Sequence, residues 1–130
     1  MPFINNHGKQ YNMPQPIDIK LKHKSRKLVV SFDTGETFEY SCEFLRVHSP
    51  SAEVTGHAPG QEVLQLGKQD VNIDAITPMG NYAIQLTFDD GHDSGIYSWD
   101  SLYDLGKNYT HYWHIYLQKI EQSTLAKELK

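Results

Sequence analysis

The sequence predicts an α+β fold in a single domain: a twisted, mostly antiparallel β-sheet with short helices and a C-terminal helix. Three observations predict it. Apolar residues alternate at period two from Pro16 to Tyr40, and again from Val71 to Ser98. Turn clusters such as Asp33-Thr34-Gly35-Glu36 separate the first strands, as in a meander. After Trp99 the apolar spacing lengthens to that of a helix. A chain of 130 residues suits one domain with one modest core, and it contains no internal repeat.

Residues 1–15 are polar, carry Pro2, Gly8 and Pro14, and read as a flexible leader. From Pro16 to His23, Ile17, Ile19 and Leu21 take one face and Asp18, Lys20 and Lys22 the other, the pattern of a half-buried strand. Lys24 to Arg26 is a turn, and Lys27 to Phe32 is β-branched enough for a second strand. Gly35 suits a positive φ in the next hairpin turn, and Thr37 to Tyr40 is a third strand. Ser41 then caps a short helix with Glu43 in its first turn. Phe44, Leu45 and Val47 face the sheet, and the helix stops at His48 to Ser51. Ala52 to Leu66 forms a long connection, a length that often marks a functional loop. Val71 to Ile76 alternates again, with Val71, Ile73 and Ala75 inward, and Pro78 to Asn81 is a turn. Tyr82 to Phe88 and Gly95 to Ser98 are strands flanking a turn, which aims Trp99 into the core. Asp100 to Gly106 makes one or two helical turns closed by Gly106. A longer helix follows from Asn108 to Lys127, with Trp113, Tyr116, Leu117 and Ile120 on one stripe. The domain proper is residues 16–106, and residues 107–130 are the C-terminal helix.

Composition excludes several function classes. The formal net charge of −4 argues against non-specific nucleic-acid binding, which needs a basic face. Cys42 is the one cysteine, so no internal disulfide forms, as in a reducing compartment. The N-terminus lacks the apolar segment of a signal peptide, and no stretch has the length of a membrane span. The expectation is a cytoplasmic protein with no membrane partner. There is no Gly-rich phosphate loop, paired-cysteine zinc signature or nucleophile elbow.

The stretch richest in chemistry is Phe88-Asp89-Asp90-Gly91-His92-Asp93-Ser94-Gly95. It places a histidine among carboxylates between two strands. His92 with Asp90 or Asp93 supplies a base and an orienting partner, the minimum for general base catalysis. The simpler alternative is a hairpin in which His92 caps the turn and the two aspartates bond backbone amides. His48, Glu53, His57 and His92 all lie in turns or loops and are ligand types that zinc and iron accept. His7 and His23 read as solvated. His111 and His114 are three apart on the last helix, a spacing that can serve a metal but here flanks packing aromatics. Cys42, in an apolar helical turn, reads as an ordinary buried thiol.

Three segments carry a resemblance. They are Phe44-Leu45-Arg46-Val47-His48-Ser49-Pro50-Ser51-Ala52-Glu53, Asn81-Tyr82-Ala83-Ile84-Gln85-Leu86-Thr87-Phe88, and Asp90-Gly91-His92-Asp93-Ser94-Gly95-Ile96-Tyr97-Ser98-Trp99. Together they resemble the gamma-butyrobetaine hydroxylase-like N-terminal domain, formerly a domain of unknown function, over Pro16 to Gly106. That family occurs alone in bacteria, fused to some iron–sulfur-cluster carrier ATPases, and as the N-terminal part of carnitine-biosynthesis hydroxylases. In the hydroxylases the domain holds structural zinc through three cysteines and one histidine. The resemblance places those cysteine positions on Ser49, Ser51 and Val54 and the histidine on His92. Serine hydroxyls are poor zinc ligands and valine is none. The hydroxylases' iron and 2-oxoglutarate chemistry belongs to a separate domain that would follow Lys130, so no hydroxylase activity is expected. The resemblance implies a non-catalytic accessory or interaction domain linked to iron–sulfur-cluster or metal handling, with an iron–sulfur assembly or carrier protein as partner. The alternatives are a metal-binding domain centred on His92, with His48, Glu53 or His57 and iron or zinc, and a small enzyme using His92 as general base.

Overall fold

Leu28, Val30 and Phe32 take the inward positions of one strand, and all three are completely buried. That strand is the middle of the first of two three-stranded antiparallel sheets. The computed structural model describes residues 2–4 and 10–128. In chain order the elements are β1 (Pro2–Ile4), β2 (Gln10–Asn12), β3 (Pro16–Lys22), β4 (Lys27–Phe32), β5 (Thr37–Ser41), α1 (Cys42–Val47), α2 (Ala52–Thr55), β6 (Ile73–Met79), β7 (Ala83–Phe88), β8 (Ile96–Ser98), α3 (Trp99–Lys107) and α4 (Tyr109–Glu128). The sheets are the meanders β3-β4-β5 and β6-β7-β8, with β1 and β2 as a separate antiparallel pair. The fold is α+β with antiparallel sheets, short helices and a C-terminal helix, as the alternation predicts. The strands divide between two sheets rather than joining in one. The leader expected at residues 1–15 contains β1 and β2; its residues 1 and 5–9, His7 among them, lie outside the described residues.

Two strands depart from simple alternation for one reason. The pairing of β3 with β4 shifts register between Pro16 and Asp18, and that of β6 with β7 between Ile73 and Ala75. An irregularity of this kind turns the next side chain to the other face. Ile17 is therefore 70% exposed instead of facing inward, and Ala75 is exposed while Ile76 takes the half-buried position. Pro78 and Met79, expected in a turn, extend β6 opposite Ile84 and Ala83. A proline fits there because β6 is an edge strand. The turn follows at Gly80, which has φ +55°.

The helices close the two sheets. Ser41 caps α1, its Oγ accepting from the Phe44 amide at 3.0 Å, and Phe44 and Leu45 are fully buried. Ser98 caps α3 in the same way through the Ser101 amide. Trp99 opens α3 only half-buried, its indole N–H donating to the Asn81 carbonyl at 2.7 Å; Tyr97 is the side chain that reaches the core. Gly106 does not end α3, which continues to a cap at Asn108. It lies where the helix presses on β5: a Cβ there would sit 2.4 Å from the Phe38 ring and 2.9 Å from Tyr40 Oη. On α4 the packed face is Tyr109, Tyr112, Trp113 and Tyr116. Tyr109 stacks on Phe44 with ring centroids 4.0 Å apart. Leu117, expected on that stripe, is 46% exposed, and most of the helix beyond it faces solvent. No helix among the described residues is long and apolar enough to cross a membrane.

Candidate functional site: a buried serine, histidine and glutamate

The turn after β7 is wound tightly by its own backbone. Gly91, at φ +88°, donates to the Phe88 carbonyl at 3.1 Å, and the Phe88 amide donates to the His92 carbonyl at 2.9 Å. Asp90 Oδ1 accepts from the His92 amide at 3.2 Å. The simple hairpin reading is thus correct for Asp90, while Asp93 stays exposed and offers only its carbonyl, to Gln85 Nε2. This winding turns the His92 ring inward, where the residue is 5% exposed.

The other half of the site comes from the passage between α1 and α2. Ser51 caps α2, its Oγ accepting from the Glu53 amide at 3.3 Å. That cap starts a helix whose second residue, Glu53, brings Oε2 to 2.8 Å from His92 Nδ1. A carboxylate only accepts, so Nδ1 carries the proton. In the neutral ring Nε2 is then an acceptor, and Ser49 Oγ lies 2.8 Å from it. Ser49 is completely buried, and its Oγ also accepts from the Ser51 amide at 3.3 Å. Gly95 makes room for that hydroxyl: a Cβ there would sit 2.4 Å from Ser49 Oγ. Ser51 Oγ shares a 2.7 Å hydrogen bond with Ser94 Oγ, and Val54 is 6% exposed. The four positions singled out by family resemblance therefore do gather, into hydrogen bonds and apolar packing. Two hydroxyls, a valine and one imidazole do not fit a thiolate zinc centre.

Beside this cluster lies an ionic one. Asp90 Oδ2 accepts from Arg46 Nε at 2.9 Å and from Lys68 Nζ at 2.7 Å. Burial pushes the Asp90 carboxyl up, but Lys68, the His92 amide and Arg46 outweigh it and hold the group at about 2. Arg46 is 7% exposed, and its Nη1 is buried with no partner among the described residues.

Of the ligand candidates, the structure brings together His92 and Glu53. His48 ends α1 with Nδ1–H donating to the Phe44 carbonyl at 2.8 Å, and its ring lies against Phe44 and Tyr112. His57 is exposed in the long connection, and His111 and His114 are exposed on α4. Among the described residues, no group of three or more His, Cys, Asp or Glu side chains is placed to hold one metal ion. Cys42 is fully buried, and burial pushes its thiol up to about 11. Lys68 and Ser94 have no role in the sequence-based reading. Their partners are 22 and 43 residues distant, and no local signal links them.

Hydroxyl to Nε2, and Nδ1 to carboxylate, is the order of a nucleophile relay. Here the hydroxyl has no exposed surface, and the Ser51 amide points at Ser49 Oγ rather than at the place of a developing oxyanion. What the cluster does mechanically is fasten the α1–α2 passage to the β7–β8 turn. Its outer side forms part of a cleft of about 470 Å³ lined by Val47, His48, Ser49, Val54, Val63, Leu64, Ile115 and Lys119, among others.

Comparison with known proteins places the chain in a family. The family model described as gamma-butyrobetaine hydroxylase-like, N-terminal, matches residues 19–103. One solution structure solved by NMR is 53% identical, covers 89% of this chain and 86% of its own, and superposes with a TM-score of 0.75. A second is 42% identical over 87% of this chain and 89% of its own, also with a TM-score of 0.75. A crystal structure of a protein of unknown function from the DUF971 family of Acidithiobacillus ferrooxidans is 35% identical, covers 71% of this chain and 92% of its own, and has a TM-score of 0.60. Comparison with curated proteins gives no match. With a family model spanning β3 to α3 and close structural relatives over most of its length, the chain belongs to the gamma-butyrobetaine hydroxylase-like N-terminal family.

Proposed function

We propose that this chain is a non-catalytic accessory domain that acts by binding a protein partner, in the service of iron–sulfur-cluster or metal handling. The observation that carries the reading is the cleft between α4 and residues 62–65. It is walled by Val47, Val54, Val63, Leu64 and Ile115, with Val63 54% exposed at its edge. Ser49 and His92 beside it are buried in structural hydrogen bonds, which leaves the cleft, with Thr55, Glu62, Gln65 and Lys119 also in its lining, as the outward-facing feature of this corner. The link to iron–sulfur or metal handling rests on family resemblance, an argument from association. Capture with the full-length chain, carrying an affinity tag other than polyhistidine, tests it. An iron–sulfur assembly or carrier protein is retained by the natural chain and lost with Val63→Asp, and deletion slows growth on cluster-dependent metabolism. Retention of no such protein together with normal growth overturns it.

A second reading has one observation in its favour, the relay order of Ser49, His92 and Glu53. If it were a nucleophile relay, a fluorophosphonate probe would label Ser49 in the folded protein, and His92→Ala would abolish labelling. An accessory domain stays unlabelled. The metal reading is tested alongside by titrating zinc(II) and iron(II) while following histidine ring signals by NMR. The inward-bonded cluster predicts no saturable shift of His92.

A further inference from the structure

We infer that the tip of the β3–β4 hairpin is a docking site for a short acidic segment of a protein partner. Residues 20–27 hold five of the twelve basic residues, Lys20, Lys22, Lys24, Arg26 and Lys27, and no acidic one. The other seven face all sixteen acidic residues, so a charge of +5 on the hairpin stands against −9 over the rest of the chain. Lys20, Lys22, Lys24 and Arg26 are exposed, and Lys27 is half-buried. Two carboxylates pair with this group: Asp18 with Lys20 at 3.6 Å, and Glu39 with Lys27 at 2.8 Å and with Lys22 at 3.6 Å. Asp89 is linked to the tip through Asn72, whose amide donates to Asp89 Oδ1 at 3.0 Å and whose Nδ2 donates to the His23 carbonyl at 2.9 Å. With all three carboxylates counted, the five positive charges still outnumber them. Lys24 and Arg26, at the tip itself, form no ion pair among the described residues. None of these residues lines the cleft, so the inference does not rest on it.

The backbone is a second observation. Arg26 has φ +55°, and among the described residues it is the one non-glycine with a positive φ. Turn positions of this kind ordinarily hold Gly or Asn, because a Cβ strains the left-handed conformation. Lys22 and Lys27 lie directly opposite each other in the strand pairing, where like charges repel. Local stability selects neither arrangement, and both gather positive charge at one tip. The tip is also held in place. The Arg26 carbonyl accepts from the Cys42 amide at 2.8 Å, and the His23 carbonyl is held by Asn72. A site fixed before its ligand arrives loses less to ordering. The surroundings favour a short acidic segment over a nucleic acid or a lipid surface. Asp18, Glu39 and Asp89 border the basic tip, and a polyanion extending past it meets the acidic excess of the rest of the chain. Residues 20–27 contain no Phe, Tyr or Trp on which a base would stack.

The probe is an oligo-glutamate peptide, titrated into the isotope-labelled full chain by NMR and, with a fluorescent label on the peptide, by anisotropy. The amide signals of residues 22–27 shift saturably, and the dissociation constant rises with salt. Lys24, Arg26 and Val63 are exposed, so substitutions there leave the circular dichroism spectrum unchanged. Lys24→Glu together with Arg26→Glu weakens binding about tenfold, the scale of two exposed ion pairs lost. Arg26→Gly raises the melting temperature by relieving the strained φ and weakens binding about threefold. Val63→Asp leaves this binding unchanged, which separates the hairpin from the cleft. A peptide that shifts no hairpin signal, or that binds the doubly reversed chain as tightly as the natural one, overturns the inference and leaves the cleft reading standing. An Arg26→Gly chain that binds as tightly as the natural one overturns it too. So does duplex DNA, or a phosphatidylserine vesicle, that binds the hairpin more tightly than the peptide.

Discussion

Ser49→Ala is the substitution that most directly probes how the His92 corner is held. Removing Oγ leaves two groups without their partner: His92 Nε2, bonded at 2.8 Å, and the Ser51 amide, bonded at 3.3 Å. Each buried group left unsatisfied costs about 1–3 kcal/mol, and the longer bond belongs at the low end, so the loss is about 2–4 kcal/mol. That is a large part of the roughly 5–15 kcal/mol that holds a domain together, and it lowers the melting temperature by about 10 °C. Glu53→Ala cuts the same chain of hydrogen bonds at its other end. The Glu53 side chain is 69% exposed, so water replaces it and the loss is several-fold smaller. Urea unfolding followed by circular dichroism measures both variants and the double variant. Equal losses from Ser49→Ala and Glu53→Ala, or a Ser49→Ala chain as stable as the natural one, would refute the idea of a buried fastener anchored at the serine end.

Other outcomes follow from the same geometry. Asp90 is held at about 2 against an ordinary 3.8, so the unfolded chain takes up its proton first as pH falls. Its contribution, about 1–2 kcal/mol, is fully present above about pH 4 and disappears as pH falls toward about 2. In urea midpoints measured across that window, Asp90→Asn flattens the acid limb. Gly106→Ala, which would gain about 1 kcal/mol in an isolated helix, instead lowers the melting temperature, because its Cβ would meet Phe38 at 2.4 Å. Cys42, buried and with its thiol at about 11, stays unreactive toward a disulfide reagent at mildly alkaline pH and reacts fully once urea unfolds the chain.

Local chemistry explains which parts of this fold are legible in the sequence. Leu28, Val30 and Phe32 bury because their own spacing puts them on one face, and Ser41 caps α1 through an amide three residues away. Ile17 and Ala75 are misread because a register shift belongs to a pair of strands, and one strand's alternation does not contain it. Gly106 looks like a helix end until Phe38 and Tyr40 are set beside it. The His92 site divides the same way. Its turn is local, and Asp90 bonding the His92 amide is the ordinary behaviour of an aspartate two residues upstream. Its partners Glu53 and Ser49 are 39 and 43 residues distant. Family resemblance brought Ser49, Ser51, Val54 and His92 to one place. It could not say which atoms bond there once three of the ligand positions have lost their thiols.

The way that corner is closed bears on the cleft next to it. Each position has found a separate partner: Ser49 holds His92, Ser51 holds Ser94, and Val54 packs away from solvent. Ser49 and Val54 also belong to the wall of the cleft, so one cluster fixes both the turn and that wall. A wall held in place before a partner arrives avoids the ordering cost that a mobile wall imposes on binding. Loosening the corner then weakens binding of the proposed protein partner even where the chain stays folded. Ser49→Ala removes no exposed surface, since Ser49 has none, so any loss of affinity must come through the loosened wall. At a temperature where Ser49→Ala remains folded, the partner captured by the natural chain binds it less tightly and dissociates faster, while Glu53→Ala binds nearly normally. If both variants bind that partner with unchanged affinity, the fastener serves stability alone and the cleft owes its shape to α4 and the 62–65 segment.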